Sequence, residues 1–190
     1  MEAFLTSLSL VALAEIGDKT QLLAILLATR FRKPVPIIAG ILVATLGNHF
    51  LAALLGHGIA GLLDSPAFRI AVAVGFIIMG LWTLMPDKID EEMKTPSGAG
   101  VFLTTLVAFF IVEMGDKTQI ATIALGAQFA NVYAVTAGTT AGMMLANVPA
   151  VYLGEALIAR VSLTLVRRIA AVLFFGIGAW LLVENLRAFL

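Results

Sequence analysis

The sequence predicts an all-α membrane protein with six transmembrane helices, built from two inverted three-helix repeats. Of its 190 residues, 61% are strongly apolar and 13% are charged, whereas a soluble domain carries about 25% charged residues. Six apolar stretches are each long enough to cross about 30 Å of hydrocarbon. One polar heptapeptide also occurs twice, once in each half of the chain.

The six apolar stretches follow one another with short connections. They cover residues 3–29, 35–56, 67–85, 101–125, 132–158 and 168–186. Proline is disfavoured in the interior of a helix, and four prolines lie in the connections or at their edges: Pro34, Pro36, Pro86 and Pro96. Pro66 directly after Ser65 predicts the start of the third helix. Pro149 is different, because it falls inside the fifth helix and removes one of its hydrogen bonds.

The repeated heptapeptide relates the two halves. Residues 15–21, EIGDKTQ, recur as EMGDKTQ at 113–119, with six of seven residues identical. Because each half holds three spans, the second half enters the membrane from the opposite side, as in many secondary transporters. We therefore expect a first repeat at 1–86, an acidic cytoplasmic linker at 87–99 and a second repeat at 100–190.

Basic residues near the span ends predict the orientation. Two fall on one side, Arg69 and Arg187, and eight on the other: Arg30, Arg32, Lys33, Lys88, Lys94, Arg160, Arg167 and Arg168. The positive-inside rule then places both termini outside and the central loop in the cytoplasm. We expect a multi-pass protein of the plasma membrane, which is the inner membrane in a bacterium. The net charge of zero, without a basic tract, gives no indication of nucleic acid binding.

Six ionisable side chains fall inside the predicted spans: Glu15, Asp18, Lys19, Glu113, Asp116 and Lys117. A charged Asp or Lys at the centre of a span costs about 2.5–3.5 kcal/mol, so these groups must face one another or a water-filled cavity. On a continuous helix Glu15, Asp18 and Lys19 share one face. Pairing of each Glu with the Lys four residues later is the structural alternative, but it leaves both aspartates without a partner.

Charge balance favours exchange of a metal for protons. Four carboxylates and two ammonium groups leave a charge of minus two, which one divalent cation or two protons would balance. Carboxylates in a pocket of low dielectric constant hold protons when empty and release them when a metal binds. We predict oxygen ligands from carboxylate and amide side chains: Glu15, Asp18, Gln21, Asn48, Glu113, Asp116, Gln119 and Asn147.

Oxygen ligands suit hard ions such as Ca²⁺, Mn²⁺ and Mg²⁺, and the absence of cysteine argues against Cu⁺ or a thiolate zinc site. Thr20 and Thr118 are expected to bond the carbonyl four residues earlier. Gly17 and Gly115 permit either close helix approach or local unwinding.

Two further features have mainly structural interpretations. Gly138 and Gly142, with Gly40 in the first half, predict tight helix packing. His49, beside Asn48, is interpreted as a packing residue with satisfied hydrogen bonds, and a second-shell proton carrier is the alternative.

Two copies of Glu-x-Gly-Asp-Lys-Thr in a chain of two three-span halves resemble the GDT family of cation:proton exchangers. Members of that family handle manganese and calcium, and bacterial members are implicated in manganese export. The resemblance implies that Glu15 and Asp18, with Glu113 and Asp116, bind the ion and exchange protons. It also implies that the glutamines directly after the motifs, Gln21 and Gln119, complete the coordination.

We therefore expect a transporter and not an enzyme, with divalent cations, protons and membrane lipid as its partners and no cofactor beyond the transported ion. It would export Mn²⁺ first and Ca²⁺ second in exchange for protons, by alternating access. A passive cation channel and an intramembrane aspartyl hydrolase are the alternatives; the hydrolase dyad gives no reason for duplicated Glu, Lys, Thr and Gln. The residues leave the proton stoichiometry and the oligomeric state open.

Overall fold

The computed structural model describes residues 1–85, 100–154 and 162–187. Within these ranges the chain is helical and contains no strand. Eight α-helices follow in order: α1 Glu2–Glu15, α2 Lys19–Phe31, α3 Pro34–Ile59, α4 Pro66–Thr83, α5 Val101–Glu113, α6 Lys117–Phe129, α7 Val132–Leu153 and α8 Leu163–Arg187. A short 3-10 helix, Ala60–Asp64, follows α3 directly. As the sequence predicts, Pro66 begins α4 and Pro149 lies inside α7.

Within the described ranges, three helices are long and apolar enough to cross a membrane by length and composition. They span Pro34–Leu62, Pro66–Thr83 and Leu163–Leu186. Large apolar side chains on their surfaces are exposed, such as Leu55 and Trp180, which is the arrangement expected where lipid replaces water. The chain is therefore an α-helical integral membrane protein. The acidic linker expected at 87–99 and the end of the fifth predicted span lie outside the described residues.

The first and fourth predicted spans are each interrupted at the heptapeptide. α1 ends at Glu15 and α2 begins at Lys19, and in the same way α5 ends at Glu113 and α6 begins at Lys117. The expectation of one continuous helix through each motif is wrong. The shared helical face predicted for Glu15, Asp18 and Lys19 is therefore wrong as well.

Glycines on the long helices α7 and α3 allow the short helices α1 and α5 to pack closely against them. A Cβ atom added at Gly138 of α7 would lie 2.5 Å from the carbonyl oxygen of Phe4 in α1. At the matching contact, a Cβ at Gly40 of α3 would lie 2.8 Å from the carbonyl oxygen of Phe102 in α5. The predicted tight packing is confirmed at both glycines, and it fixes α1 on α7 and α5 on α3.

Candidate metal site

The two helix breaks have the same local structure. Gly17 has φ +81° and Gly115 has φ +77°, a left-handed conformation that glycine adopts without steric penalty. The next residues, Asp18 and Asp116, are the N-cap residues of α2 and α6. Of the two interpretations left open for these glycines, local unwinding is the one that the structure bears out.

Each break is bridged by the glutamine of its own motif. The Gly17 amide donates to Gln21 Oε1 at 2.8 Å, and the Gly115 amide donates to Gln119 Oε1 at 2.7 Å. Gln21 Nε2 also donates to the carbonyl oxygen of Ala146 in α7 at 2.9 Å. The oxygen that would bind a metal thus already accepts a backbone hydrogen bond in both glutamines.

Each glutamate is held by the threonine five residues later. Thr20 Oγ1 donates to Glu15 Oε2, and Thr118 Oγ1 donates to Glu113 Oε1 at 2.5 Å. The expectation that these threonines bond the carbonyl four residues earlier is wrong. It fails because the unwound segment turns each carboxylate back toward the first turn of the next helix.

The aspartates pair with lysines of the opposite motif. Lys19 Nζ lies 2.9 Å from Asp116 Oδ1, and Lys117 Nζ lies 3.4 Å from Asp18 Oδ1. The alternative of Glu-to-Lys pairs within one helix is therefore not observed at either motif. The two halves are instead joined by two reciprocal ion pairs at the helix breaks.

Three carboxylates converge between the breaks. One ligand oxygen from each of Glu15, Glu113 and Asp116 lies within 4.8 Å of the other two, and all three residues are buried. One oxygen of each has no hydrogen-bond partner among the described residues: Glu15 Oε1, Glu113 Oε2 and Asp116 Oδ2. Buried carboxylate oxygens left in this way are costly unless a cation or a proton satisfies them.

The remaining predicted ligands make contacts of their own and are not part of this three-carboxylate cluster. Asp18 belongs to its ion pair and not to the cluster. Asn48 Nδ2 donates to the carbonyl oxygen of Phe110 at 3.0 Å. Asn147 Nδ2 donates to the carbonyl oxygen of Met143, also at 3.0 Å, while Asn147 Oδ1 has no hydrogen-bond partner within the described ranges.

The location of His49 beside the three-carboxylate cluster was not predicted from the sequence. Its ring is fully buried, and Nε2 lies 3.6 Å from Glu113 Oε1. Neither ring nitrogen has a hydrogen-bond partner in the part of the chain that the structure describes, so the interpretation as a satisfied packing residue is wrong. The signal in the sequence was its position directly after Asn48, a residue that the second half repeats as Asn147.

The arrangement is suited to a small cation. Three carboxylates offer hard oxygen ligands in a site that is closed to bulk solvent. The C-terminal ends of α1 and α5 add partial negative charge near the glutamates, because the last carbonyl groups of a helix have no partner within it. An ion pair at Asp116 limits the negative charge of the site.

Comparison with known proteins identifies relatives over nearly the whole chain. The profile of one family, described as divalent cation/proton antiporter GDT1, matches residues 3–91 and 101–188. A candidate manganese exporter of Vibrio cholerae is 50% identical, over 92% of this chain and 87% of that protein. A GDT1-like protein of Synechocystis is 31% identical, over 95% of this chain and 97% of its own length. No solved structure matches the chain.

Proposed function

The chain belongs to the GDT1 family of divalent cation/proton antiporters, and from this premise we propose that it exports Mn²⁺ from the cytoplasm in exchange for protons. Ca²⁺ is the second candidate substrate. The 50% identical relative in Vibrio cholerae is described as a candidate manganese exporter, which favours Mn²⁺. Export and exchange would take place by alternating access.

The buried three-carboxylate cluster carries this proposal. Glu15, Glu113 and Asp116 contribute three negative charges when ionised, and Lys19 contributes one positive charge at 2.9 Å from Asp116. The balance of minus two is met by one divalent cation or by two protons. One divalent cation or two protons neutralise the same buried site, so the site supports exchange of the metal for protons.

The proposed architecture is the six-span inverted repeat. Residues 2–83 form two short helices followed by two longer ones, and residues 101–187 repeat this order. The repetition supports two repeats separated by the linker at 87–99. We infer that each pair of short helices forms one interrupted span, with the ion near the middle of the membrane between the halves. Both termini would lie outside and the linker in the cytoplasm, in the plasma membrane or bacterial inner membrane.

The ligand set follows from the same geometry. Glu15, Glu113 and Asp116 would bind the ion first, because each has an oxygen without another partner. Asp18 would enter the site in another state of the transport cycle, after separation from Lys117. Asn147, with a free Oδ1, and Asn48 would complete the coordination together with the two glutamines, Gln21 and Gln119.

The hydrolase alternative finds no support in the described residues. An aspartyl dyad needs two aspartates that share a proton, whereas Asp18 and Asp116 lie within 3.4 Å and 2.9 Å of different lysines. A passive channel would use the same site. Proton movement coupled to the metal distinguishes an exchanger from such a channel.

The decisive experiment measures metal and proton flux together. The purified protein is reconstituted in liposomes that contain a pH dye, and a Mn²⁺ gradient and then a Ca²⁺ gradient are imposed. We expect proton movement opposite to the metal, abolished in Glu15→Gln and Glu113→Gln. Glu184→Gln, at an exposed glutamate of α8, is the matched control and should transport normally.

Each outcome has a distinct meaning. Metal flux without proton movement would identify a channel and overturn the exchange mechanism. Normal coupled flux in Glu113→Gln, with the variant folded as judged by its gel-filtration profile, would remove the cluster from the mechanism.

A further inference from the structure

His49 occupies an unusual position beside the three-carboxylate cluster. It lies on α3, fully buried, with Nε2 3.6 Å from Glu113 Oε1. That separation is too long for a hydrogen bond. It does correspond to two ligands of one ion, because atoms bonded at about 2.0–2.2 Å lie about 2.8–3.6 Å apart at right to tetrahedral angles.

The imidazole has no other polar contact to explain its burial. Both Nδ1 and Nε2 lack hydrogen-bond partners among the described residues. A buried polar group without a partner is costly, and native structures contain few of them. The nitrogen lies next to Glu113 Oε1, which accepts from Thr118 Oγ1, while the other oxygen of this carboxylate has no hydrogen-bond partner among the described residues. An unpartnered nitrogen beside a carboxylate that is only partly satisfied indicates a shared ligand.

The histidine is also absent from the second repeat. Asn48 has its counterpart in Asn147, and His49 is therefore matched by Val148. The ring is thus not needed to build the repeated scaffold. It adds one nitrogen donor to one side of a site that is otherwise made of oxygen donors.

We propose that His49 Nε2, beside Glu113, is a ligand of the transported ion at one side of the three-carboxylate cluster, and that it gives the site a preference for Mn²⁺ over Ca²⁺ and Mg²⁺. This inference rests on the proposed function. Ca²⁺ and Mg²⁺ take oxygen ligands almost exclusively, whereas imidazole nitrogen binds first-row transition metals well. An all-oxygen site distinguishes Mn²⁺ from Ca²⁺ by size and ligand number alone.

Pulsed electron paramagnetic resonance of bound Mn²⁺ tests the nitrogen directly. The full chain is purified through a tag without histidine, so that its two histidines, His49 and His57, are the only imidazoles present. His57 is exposed, and His57→Gln is the matched control. We expect a nitrogen coupling to Mn²⁺ in the wild type and in His57→Gln, and its loss in His49→Gln.

Selectivity provides the second measurement. We expect His49→Gln to weaken Mn²⁺ binding at least about tenfold while Ca²⁺ binding changes little, since glutamine can offer an oxygen. Should His49→Gln fail to fold, the His57→Gln protein labelled with ¹⁵N-histidine still tests whether His49 binds Mn²⁺. His49 is then the sole histidine, and its label must change the nitrogen coupling.

The possible outcomes distinguish a failure of this inference from a failure of the proposed function. If Mn²⁺ drives proton movement that Glu113→Gln abolishes, but no nitrogen coupling is seen, the ligand role of His49 is wrong and the exchanger stands. An unchanged ratio of Mn²⁺ to Ca²⁺ affinity in His49→Gln overturns the selectivity role. A wild-type protein without any coupled flux overturns both.

Discussion

Removal of the lysine that faces the cluster should destabilise the empty protein and strengthen metal binding at the same time. Lys19→Gln deletes the cation that lies 2.9 Å from Asp116 Oδ1. The aspartate is 3% exposed, so water cannot replace the lost charge. A bound Mn²⁺ can replace it, because the metal would contact the same carboxylate.

The size of the effect follows from the geometry of the pair. At 2.9 Å and an effective dielectric constant of about 20, the attraction is about 6 kcal/mol. Desolvation opposes this attraction, and the lysine is 27% exposed, which reduces the net contribution to about 1–3 kcal/mol. For a chain of this size each kcal/mol changes Tm by about 2–4 °C. The metal-free variant should therefore unfold about 2–12 °C below the wild type.

The same free energy should reappear in metal affinity. Bound Mn²⁺ supplies the positive charge that Asp116 no longer receives from Lys19. The Kd for Mn²⁺ should therefore fall about 5- to 100-fold in Lys19→Gln. Thermal unfolding in detergent across a Mn²⁺ titration measures both quantities, because a bound ion raises stability by RT ln(1 + [L]/Kd). Lys33→Gln, at an exposed lysine, should change neither. An unchanged Tm without metal, or an unchanged Kd, would refute the role of Lys19 as a counterion within the site.

Three other substitutions test the scaffold of the site. Gly115→Ala should lower stability by about 1–2 kcal/mol through backbone strain alone, since its φ is +77° and no atom lies within 4 Å of the new Cβ. Gly75→Ala, in open space within α4, is its control, and equal Tm values for the two variants would contradict the strain argument. Gly138→Ala should cost at least about 1–3 kcal/mol, because its Cβ would meet a backbone oxygen of α1 at 2.5 Å; a wild-type Tm would contradict that contact. Thr118→Val should weaken Mn²⁺ binding about tenfold by freeing the Glu113 carboxylate that it holds at 2.5 Å, and calorimetry that shows an unchanged Kd would contradict this role.

The sequence was sufficient for features that depend on local pattern. Hydropathy predicts the membrane class, and the spacing of the small residues predicts tight helix packing at Gly138 and Gly40. The repeated motif also indicates that charged groups of both halves come together. These inferences need residue type and spacing, which are visible without coordinates.

The helix breaks were harder to predict. A single glycine inside a helix costs only about 1 kcal/mol, so Glu-x-Gly-Asp is compatible with an intact helix. The unwound form requires a bond from the Gly17 amide to Gln21 Oε1 and one from Gln21 to α7. The second of these contacts depends on the packing of distant segments.

The partners of the charged side chains were equally inaccessible. Spacing within one motif suggests Glu15 with Lys19, because they would lie one turn apart on a helix. Once the helix breaks, that proximity is lost and Lys19 reaches Asp116 of the other motif. His49 was misinterpreted for the same reason, since only the fold brings α3 against the end of α5.

The reciprocal ion pairs make the two halves of the chain chemically interdependent. Lys19 of the first motif lies beside Asp116 of the second, and Lys117 of the second lies beside Asp18 of the first. A polypeptide with only one motif would lack the lysine that pairs with its buried aspartate, and association with a second copy of itself would supply one. Duplication within one gene supplies that second copy permanently. It also leaves each copy free to diverge, as His49 in one half and Val148 in the other illustrate.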